Sequence, residues 1–454
     1  MSSERLMVSV SGIRGTVGGS LTPEVVLRYA QAYGTTVGEG AIVVGRDSRV
    51  TGEMVMHGVF AGLLSVGRDV IDLGVVPTPT TQLAVEKLRA RGGIVITASH
   101  NPIQWNALKL LAEDGLFLGP DQGEVVNRLA REAKFPLVPW DRVGKVRRYE
   151  RAVADHLEAI ERLSVLDLPA IRRRRFKVVV DCCHGAGGVI LPQLCARLGC
   201  EAHFLYEEPN GLFPRNPEPR PEHLGELCQA VKSLGADIGF AVDPDVDRLA
   251  IVSERGEPLG EDYTLVLAVK LILSKRTGKV VVNASTTRAI DDVAAAHGAE
   301  VVRAKVGEIN VALKAREVGA VIAGEGNGGV MLPELHLGRD APVGIALTLQ
   351  HLVEFGGTIS ALNATLPQYV MVKDRVELPG SVNPAPIVQR LAAERRDERL
   401  DLLDGVKILY DRAWVHVRPS NTEPIIRIIA EAPSAAQAQE LVDSLKHDLM
   451  RIAG

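Results

Sequence analysis

Short, almost continuously apolar segments recur along the chain, with helix-like segments between them. The clearest examples are residues 41–47, 177–183, 236–243, 279–285 and 319–326. Alternation of this kind predicts an α/β fold, and uninterrupted apolar runs are typical of strands covered by helices on both faces. At 454 residues the chain is too long for one hydrophobic core, so three or four domains are expected.

Three of the apolar segments lead directly into polar loops. They read "GIVITASHNP" (93–102), "DIGFAVDPDVDR" (237–248) and "AVIAGEGNGG" (320–329). We interpret them as one strand in each of three consecutive α/β domains with mixed sheets. Functional loops gather beyond the carboxyl ends of strands in such sheets, so the three loops are expected to face a central cleft.

The last part of the chain has a different pattern. Residues 414–432 read as strand, loop and strand, and a helical segment follows, which predicts a smaller C-terminal α+β domain. The predicted domains comprise residues 1–148, 149–254, 255–365 and 366–454.

Composition excludes several classes of protein. Hydrophobic residues make up 46% and charged residues 24% of the chain, with a formal net charge of -4, so no nucleic-acid-binding surface is indicated. The basic run at 172–175 is interpreted as the solvated end of an element. Five cysteines without paired CxxC spacing favour reduced thiols and a cytoplasmic location. No segment predicts export or a membrane span.

The segment "DPDVDR" places Asp243, Asp245 and Asp247 at alternate positions, on one side of an extended chain. Three such carboxylates repel one another, and a hard cation such as Mg²⁺ would neutralise them. A calcium-binding EF-hand loop is the competing interpretation, but it requires glycine where this chain has Arg248. An exposed acidic turn is the remaining alternative.

Two further loops carry polar groups suited to sugar and phosphate. In "GEGNGG", glycines would let Glu325 and Asn327 approach a polyhydroxyl ligand, although a simple tight turn explains the glycines equally well. In "RPSNTEP", one guanidinium and several donors suit a phosphate, with a polar hairpin tip as the alternative. The donors are Arg418, Ser420, Asn421 and Thr422.

The serine loop "TASHNP" allows two interpretations from its residues alone. Ser99 and His100 could belong to a reactive site, or serine and asparagine before proline could simply form a turn. Near the N-terminus, "SGIRG" places Arg14 between glycines, where it could reach an anion.

Taken in order, "SGIRG", "GRDSR", "TASHNP", "DPDVDR", "GEGNGG" and "RPSNTEP" resemble the α-D-phosphohexomutase family across essentially the whole chain. The resemblance implies a four-domain enzyme with a central cleft. It implies that Ser99 carries a phosphoryl group and, with the three aspartates, binds Mg²⁺. It places Arg14, His100 and Lys109 around the transferred group, with Lys109 as the acid/base candidate. The residues expected to bind substrate are Arg248, Glu325, Asn327, Arg418, Ser420, Asn421 and Thr422.

The implied reaction interconverts hexose 1-phosphates and hexose 6-phosphates of mannose or glucose through a hexose 1,6-bisphosphate. Small hexose phosphates are therefore the expected partners, with no nucleic acid and no membrane. The alternatives are a phosphoglucosamine mutase, a non-catalytic sugar-phosphate sensor and a serine phosphohydrolase. The chain departs from the family pattern at Ala107, where glycine is usual, and at Gly329, where several bacterial members have histidine.

Overall fold

The computed structural model describes residues 6–379, 382–419 and 425–453, which form four sheets. The first sheet contains β1 (Met7–Ser9), β2 (Gly12–Thr16), β3 (Ile42–Arg46), β4 (Val70–Val75), β5 (Gly93–Ile96), β6 (Trp105–Leu111) and β7 (Val146–Arg148). Its strand order is β1-β2-β6-β5-β3-β4-β7. The accompanying helices are α1 (Pro23–Thr36), α2 (Gly52–Ser65), α3 (Thr78–Lys87) and α4 (Pro120–Glu132).

The second sheet lies in the next segment of the chain and has the order β11-β10-β8-β9. Its strands are β8 (Lys177–Asp181), β9 (Glu201–Leu205), β10 (Ile238–Val242) and β11 (Leu249–Ser253). The helices of this segment are α5 (Ala152–Glu161), α6 (Leu168–Arg174), α7 (Gly187–Arg197) and α8 (Gly225–Leu234). Short 3₁₀ helices occur at Trp140–Arg142 and Pro221–His223.

The third sheet has the order β13-β12-β14-β15. Its strands are β12 (Val280–Asn283), β13 (Val301–Ala304), β14 (Ile322–Glu325) and β15 (Gly329–Met331). The helices are α9 (Glu261–Lys275), α10 (Ala289–Ala296), α11 (Glu308–Val318), α12 (Ala341–Phe355) and α13 (Ile359–Ala364).

The C-terminal sheet is antiparallel throughout, with the order β16-β20-β19-β18-β17. Its strands are β16 (Val370–Glu377), β17 (Leu400–Asp401), β18 (Val406–Leu409), β19 (Trp414–Pro419) and β20 (Ile425–Ala432). Helices α14 (Pro384–Glu394) and α15 (Ala435–Ala453) complete this domain. The prediction of three α/β domains followed by a smaller α+β domain is confirmed. The exact domain limits stay predictions.

The first three sheets share one four-strand unit, which consists of β3–β6 in the first sheet, β8–β11 in the second and β12–β15 in the third. In each, the first strand is central, the second and third strands flank it in parallel, and the fourth pairs antiparallel with the third. The serine, aspartate and glycine loops each connect the third and fourth strands of their unit. The same topology therefore presents all three loops from equivalent positions.

Apolar packing joins these three domains and separates the fourth. One continuous core includes Val43 of the first sheet, Val178 of the second and Val282 of the third. The C-terminal domain has its own core, which includes Val417 and Leu445. Among the described residues, no helix combines the length and the apolar composition needed to cross a bilayer.

Candidate active site

Ser99 lies at the tip of the loop that follows β5, and its side chain points to the aspartate loop. Its hydroxyl donates to Asp243 Oδ2 at 2.8 Å, although the two residues are 144 positions apart. The His100 Nδ1 atom lies 3.2 Å from the same hydroxyl. Ser99 has a left-handed backbone (φ 49°). Its amide donates to Thr97 Oγ1 at 2.9 Å, which helps to hold this uncommon conformation.

The three aspartates converge in the loop between β10 and β11. Asp243, Asp245 and Asp247 are fully buried, and each offers a carboxylate oxygen within 4.8 Å of the others. Asp243 Oδ1 accepts the backbone N–H groups of Asp247 and Arg248, both at 3.2 Å. Val246 has φ 62°, a strained conformation for a β-branched residue. Strain of this kind is tolerated where the surrounding structure fixes a loop for function.

The aspartate loop fits a divalent cation. Asp245 Oδ1 and Asp247 Oδ1 are buried and have no hydrogen-bond partner within the described part of the chain. Burial and the charges of Asp247 and Asp245 raise the pKa of Asp243 well above its usual value. A hard cation with oxygen ligands would satisfy the unpaired oxygens and remove the repulsion. The three carboxylates would hold it, with the Ser99 hydroxyl beside them.

Lys109 lies on β6 and faces the same carboxylates. Its Nζ donates to Asp245 Oδ2 at 2.7 Å and lies 3.8 Å from Asp247 Oδ2. Burial opposes the charged form, but the two carboxylates outweigh it and raise the pKa of Lys109 above its ordinary value. Lys109 is therefore an ammonium group. Two residues before it, Ala107 pairs with Arg14 across β2 and β6, so Arg14 and Lys109 occupy diagonal positions on one face of the sheet.

Basic side chains also lie near the serine loop. Arg14 Nη1 donates to Asn101 Oδ1 at 2.6 Å, within the serine loop. Burial, with the charges of Arg248 and Arg427, lowers the pKa of Arg14. Burial and the charge of Arg248 also lower the pKa of His100 to about 2. The His100 imidazole is therefore neutral, and it can accept or donate a hydrogen bond without adding charge.

Both carboxylate oxygens of Glu325 have partners. Oε1 accepts from Asn283 Nδ2 at 2.9 Å and from the Gly307 amide at 3.1 Å, and Oε2 accepts from Arg339 Nη1 at 2.6 Å. The neighbouring Asn327 differs, because its Oδ1 is buried without a partner in the described residues. Asn327 is thus the freer of the two predicted sugar ligands.

Of the predicted phosphate loop, the structure describes Arg418 and Pro419. Ser420, Asn421 and Thr422 lie outside the described residues. Arg418 forms an ion pair with Asp404 at 3.1 Å. The register of β19 and β20 places it directly opposite Arg427, so two guanidinium groups share one face of the sheet. Like charges in this position repel each other unless an anion lies between them.

Sequence reasoning missed several polar residues that support these loops. Thr78, at the start of α3, donates to Asp245 Oδ2 at 2.6 Å. Arg49 and Asp47 hold the serine loop, and Arg339 contacts Asp247 and Glu325. The tripeptide Gly-Arg-Asp occurs at 45–47, 67–69 and 338–340, so this repeat does not by itself single out the regions of Arg49 and Arg339.

Four family models match successive parts of the chain. Three are described as phosphoglucomutase/phosphomannomutase, alpha/beta/alpha domains I, II and III, and they match residues 5–136, 154–256 and 260–369. The fourth, the C-terminal domain of the same family, matches residues 375–447.

Similar proteins carry more than one name. A "Phosphoglucomutase/phosphomannomutase" of Thermococcus kodakarensis is 40% identical over 95% of this chain and 96% of its own. A "Probable phosphoglucosamine mutase" of Methanopyrus kandleri is also 40% identical, over 95% of both chains. The crystal structure of a phosphoglucomutase/phosphomannomutase family protein from Burkholderia thailandensis has a TM-score of 0.86 at 29% identity and covers 98% of both chains. Four matched domains in order and these relatives show that the chain belongs to the phosphoglucomutase/phosphomannomutase family of phosphohexomutases, whose members are isomerases that interconvert sugar phosphates.

Proposed function

We propose that this protein interconverts the 1-phosphate and 6-phosphate of mannose or glucose, or both, through a phosphorylated Ser99 and a bound hexose 1,6-bisphosphate. The observation that carries the proposal is the hydrogen bond from Ser99 to Asp243, in a loop with two buried carboxylate oxygens that have no hydrogen-bond partner in the described parts of the chain. A phosphoryl group on this serine would lie between the carboxylates and the guanidinium groups of Arg14 and Arg248.

The proposed transfer needs little covalent machinery. The Ser99 Oγ–P bond breaks as a sugar hydroxyl forms a new O–P bond, and the proton that the sugar hydroxyl loses balances the one that the Ser99 oxygen gains. The reverse transfer then takes phosphate from the other end of the bisphosphate. Mg²⁺ held by the three aspartates would neutralise charge on the transferred group. The protonated Lys109 is suited to return a proton to the oxygen that loses phosphate.

Phosphoglucosamine mutase activity is the second candidate function. It is supported by the relatives that carry that name, including the one from Methanopyrus kandleri. The glycine loop does not discriminate between the two candidate activities, because Asn327 Oδ1 could accept a hydrogen bond from a hydroxyl or an ammonium group.

The test compares glucose, mannose and glucosamine 1-phosphates side by side by ³¹P NMR, with Mg²⁺ and a trace of the matching 1,6-bisphosphate. Conversion to the 6-phosphate is expected for at least one sugar, and Ser99→Ala should abolish it. Ser233→Ala is the matched control, because Ser233 is exposed on α8 and donates to Ala230 of its own helix.

Each alternative predicts a different spectrum. Conversion of the glucosamine phosphate alone would identify a phosphoglucosamine mutase. A phosphohydrolase would release inorganic phosphate steadily, whereas a closed mutase site excludes the water that this requires. Binding without conversion of any of the three would show a sugar-phosphate sensor and contradict the proposal.

A further inference from the structure

Arg339 lies two residues before α12, and its side chain contacts both the aspartate loop and the glycine loop. Its side chain is buried. Nη2 lies 2.6 Å from Asp247 Oδ2, and Nη1 lies 2.6 Å from Glu325 Oε2. Nε lies 3.1 Å from Glu308 Oε2, at the start of α11. One guanidinium therefore contacts three carboxylates, from a metal-binding candidate, a sugar-binding candidate and a third buried acid.

Gly329 makes room for the stem of Arg339. A Cβ atom added at Gly329 would lie 2.2 Å from Arg339 Cδ and 2.9 Å from Cγ, far inside van der Waals contact. The methylene groups of Arg339 thus occupy the space that a side chain at position 329 would need. Glycine at 329 and arginine at 339 are a linked pair in this chain.

The backbone of Arg339 is fixed to both loops. The next residue, Asp340, donates its amide to Val330 O at 2.8 Å and caps α12 by accepting from the Val343 amide at 3.1 Å. The amide of Ala341 donates to Val246 O at 3.2 Å, between two of the candidate metal ligands. The guanidinium is therefore presented from a rigid base.

We propose that Arg339 is a positioning residue that couples the metal site to the sugar site. Its planar fork holds Asp247 Oδ2, which leaves Oδ1 of the same carboxylate, a buried atom without a hydrogen-bond partner among the described groups, available to a cation. The other terminal nitrogen of the guanidinium, Nη1, holds Glu325 in the glycine loop. The sugar half of this inference rests on the proposed function, and the metal half stands on the contacts alone.

The sign of one measurement separates positioning from simple charge. Arg339 is a cation beside a candidate cation site, so its charge alone would weaken metal binding. Under that view, Arg339→Met would bind metal more tightly. If Arg339 instead orients Asp247, the same substitution weakens binding, and groups that orient metal ligands typically change affinity by about 10–100-fold.

The experiment titrates the full-length, dephosphorylated protein with Mn²⁺ by calorimetry. We expect about tenfold weaker binding for Arg339→Met. Arg339→Lys, which keeps the charge and loses the fork, should also bind more weakly. Gly329→Ala should act in the same direction by displacing the arginine stem. Gly225→Ala is the control, since an added Cβ there meets nothing within 4 Å. Unchanged or tighter binding in Arg339→Met and Arg339→Lys would overturn the inference, as would a wild-type protein that binds no Mn²⁺.

A second readout tests the coupling. Asn283 contacts Glu325 and no candidate metal ligand in the described structure, so Asn283→Ala should raise KM for the sugar phosphate and leave the Mn²⁺ affinity unchanged. The Arg339 variants should change both. If the wild-type protein converts no hexose phosphate, the proposed function fails, while the Mn²⁺ titrations still decide the role of Arg339.

Discussion

Ser99 lies between two neighbours whose protonation states the structure makes unusual. Asp243, which accepts a hydrogen bond from the Ser99 hydroxyl, has a pKa raised by burial and by the adjacent aspartates. His100 has a pKa lowered by burial and by Arg248. The pair Ser99–His100 is therefore not arranged as a hydrolase dyad, in which histidine must become an imidazolium to start the attack. A neutral imidazole beside a serine proposed to carry phosphate serves better as a hydrogen-bonding group.

The protonation of His100 can be measured directly. Because its pKa is lowered to about 2, the ring should stay neutral, and its Cε1–H resonance should not move between pH 5 and pH 8. A two-dimensional ¹H–¹³C NMR titration of the dephosphorylated protein measures this, with the resonance assigned by its loss in His100→Gln. A change in chemical shift with a midpoint near pH 6.5, the ordinary histidine pKa, would contradict the conclusion that the ring is neutral.

At the scale of elements, the serine loop is held by one arginine. Arg49 is 1% exposed, and its guanidinium donates to four backbone carbonyls of the loop, at 2.6–2.9 Å. The acceptors belong to Ser99, Asn101, Pro102 and Trp105. Asp47 orients the guanidinium through a contact with Nε at 3.1 Å, and Phe213 of the second domain packs on its face. The loop therefore has its shape imposed by side chains from outside it.

Arg49→Lys should test this arrangement. Lysine keeps the charge but cannot reach four carbonyls, so the loop loses several hydrogen bonds and we expect a loss of about 1–3 kcal/mol in the free energy of unfolding. A displaced Ser99 should lower kcat by about 10–100-fold. Mutase kinetics and urea unfolding measure the two effects. Arg396→Lys is the control, because that side chain is 81% exposed. An unchanged kcat would show that Arg49 does not position the loop.

The elements themselves could be predicted from sequence, and their supports could not. Apolar runs identified β3, β8, β10, β12 and β14, and polar residues after them identified the loops, because both signals are local. Arg49 and Arg339 act on residues 50 and 92 positions away, and such contacts exist only after the strands have been placed. The contact between Ser99 and Asp243 was predictable through the family resemblance. The hydrogen-bond partners of Glu325 were not predictable in this way.

At the scale of the whole molecule, two kinds of interface hold the domains. The first three domains share a continuous apolar core, whereas described contacts between the third and fourth domains include several polar ones. Lys407 donates to Ala284 O at 2.7 Å, and Ser285 Oγ lies 3.1 Å from His416 Nδ1. Val306 donates its amide to Asp404, which also pairs with Arg418. Arg418 is thus linked to the neighbouring domain through the carboxylate of Asp404.

Lys407 makes this interface sensitive to pH. Burial and the charge of Arg303 lower its pKa to about 7, whereas an unfolded chain has a lysine pKa of about 10.4. Between these values the unfolded chain binds a proton that the folded protein lacks, so this residue makes unfolding less favourable as pH rises. The free energy of unfolding should increase from pH 7 to pH 9 by up to about 1.4 kcal/mol per pH unit more than in Lys407→Met. Urea unfolding followed by tryptophan fluorescence measures the difference, and one of the three tryptophans, Trp414, has its ring 3.9 Å from Lys407 Nζ. Lys446→Met, which removes a part-exposed ion pair of the same domain, is the control. If the free energy of unfolding changes with pH at the same rate in wild type and Lys407→Met, Lys407 stays charged in the interface.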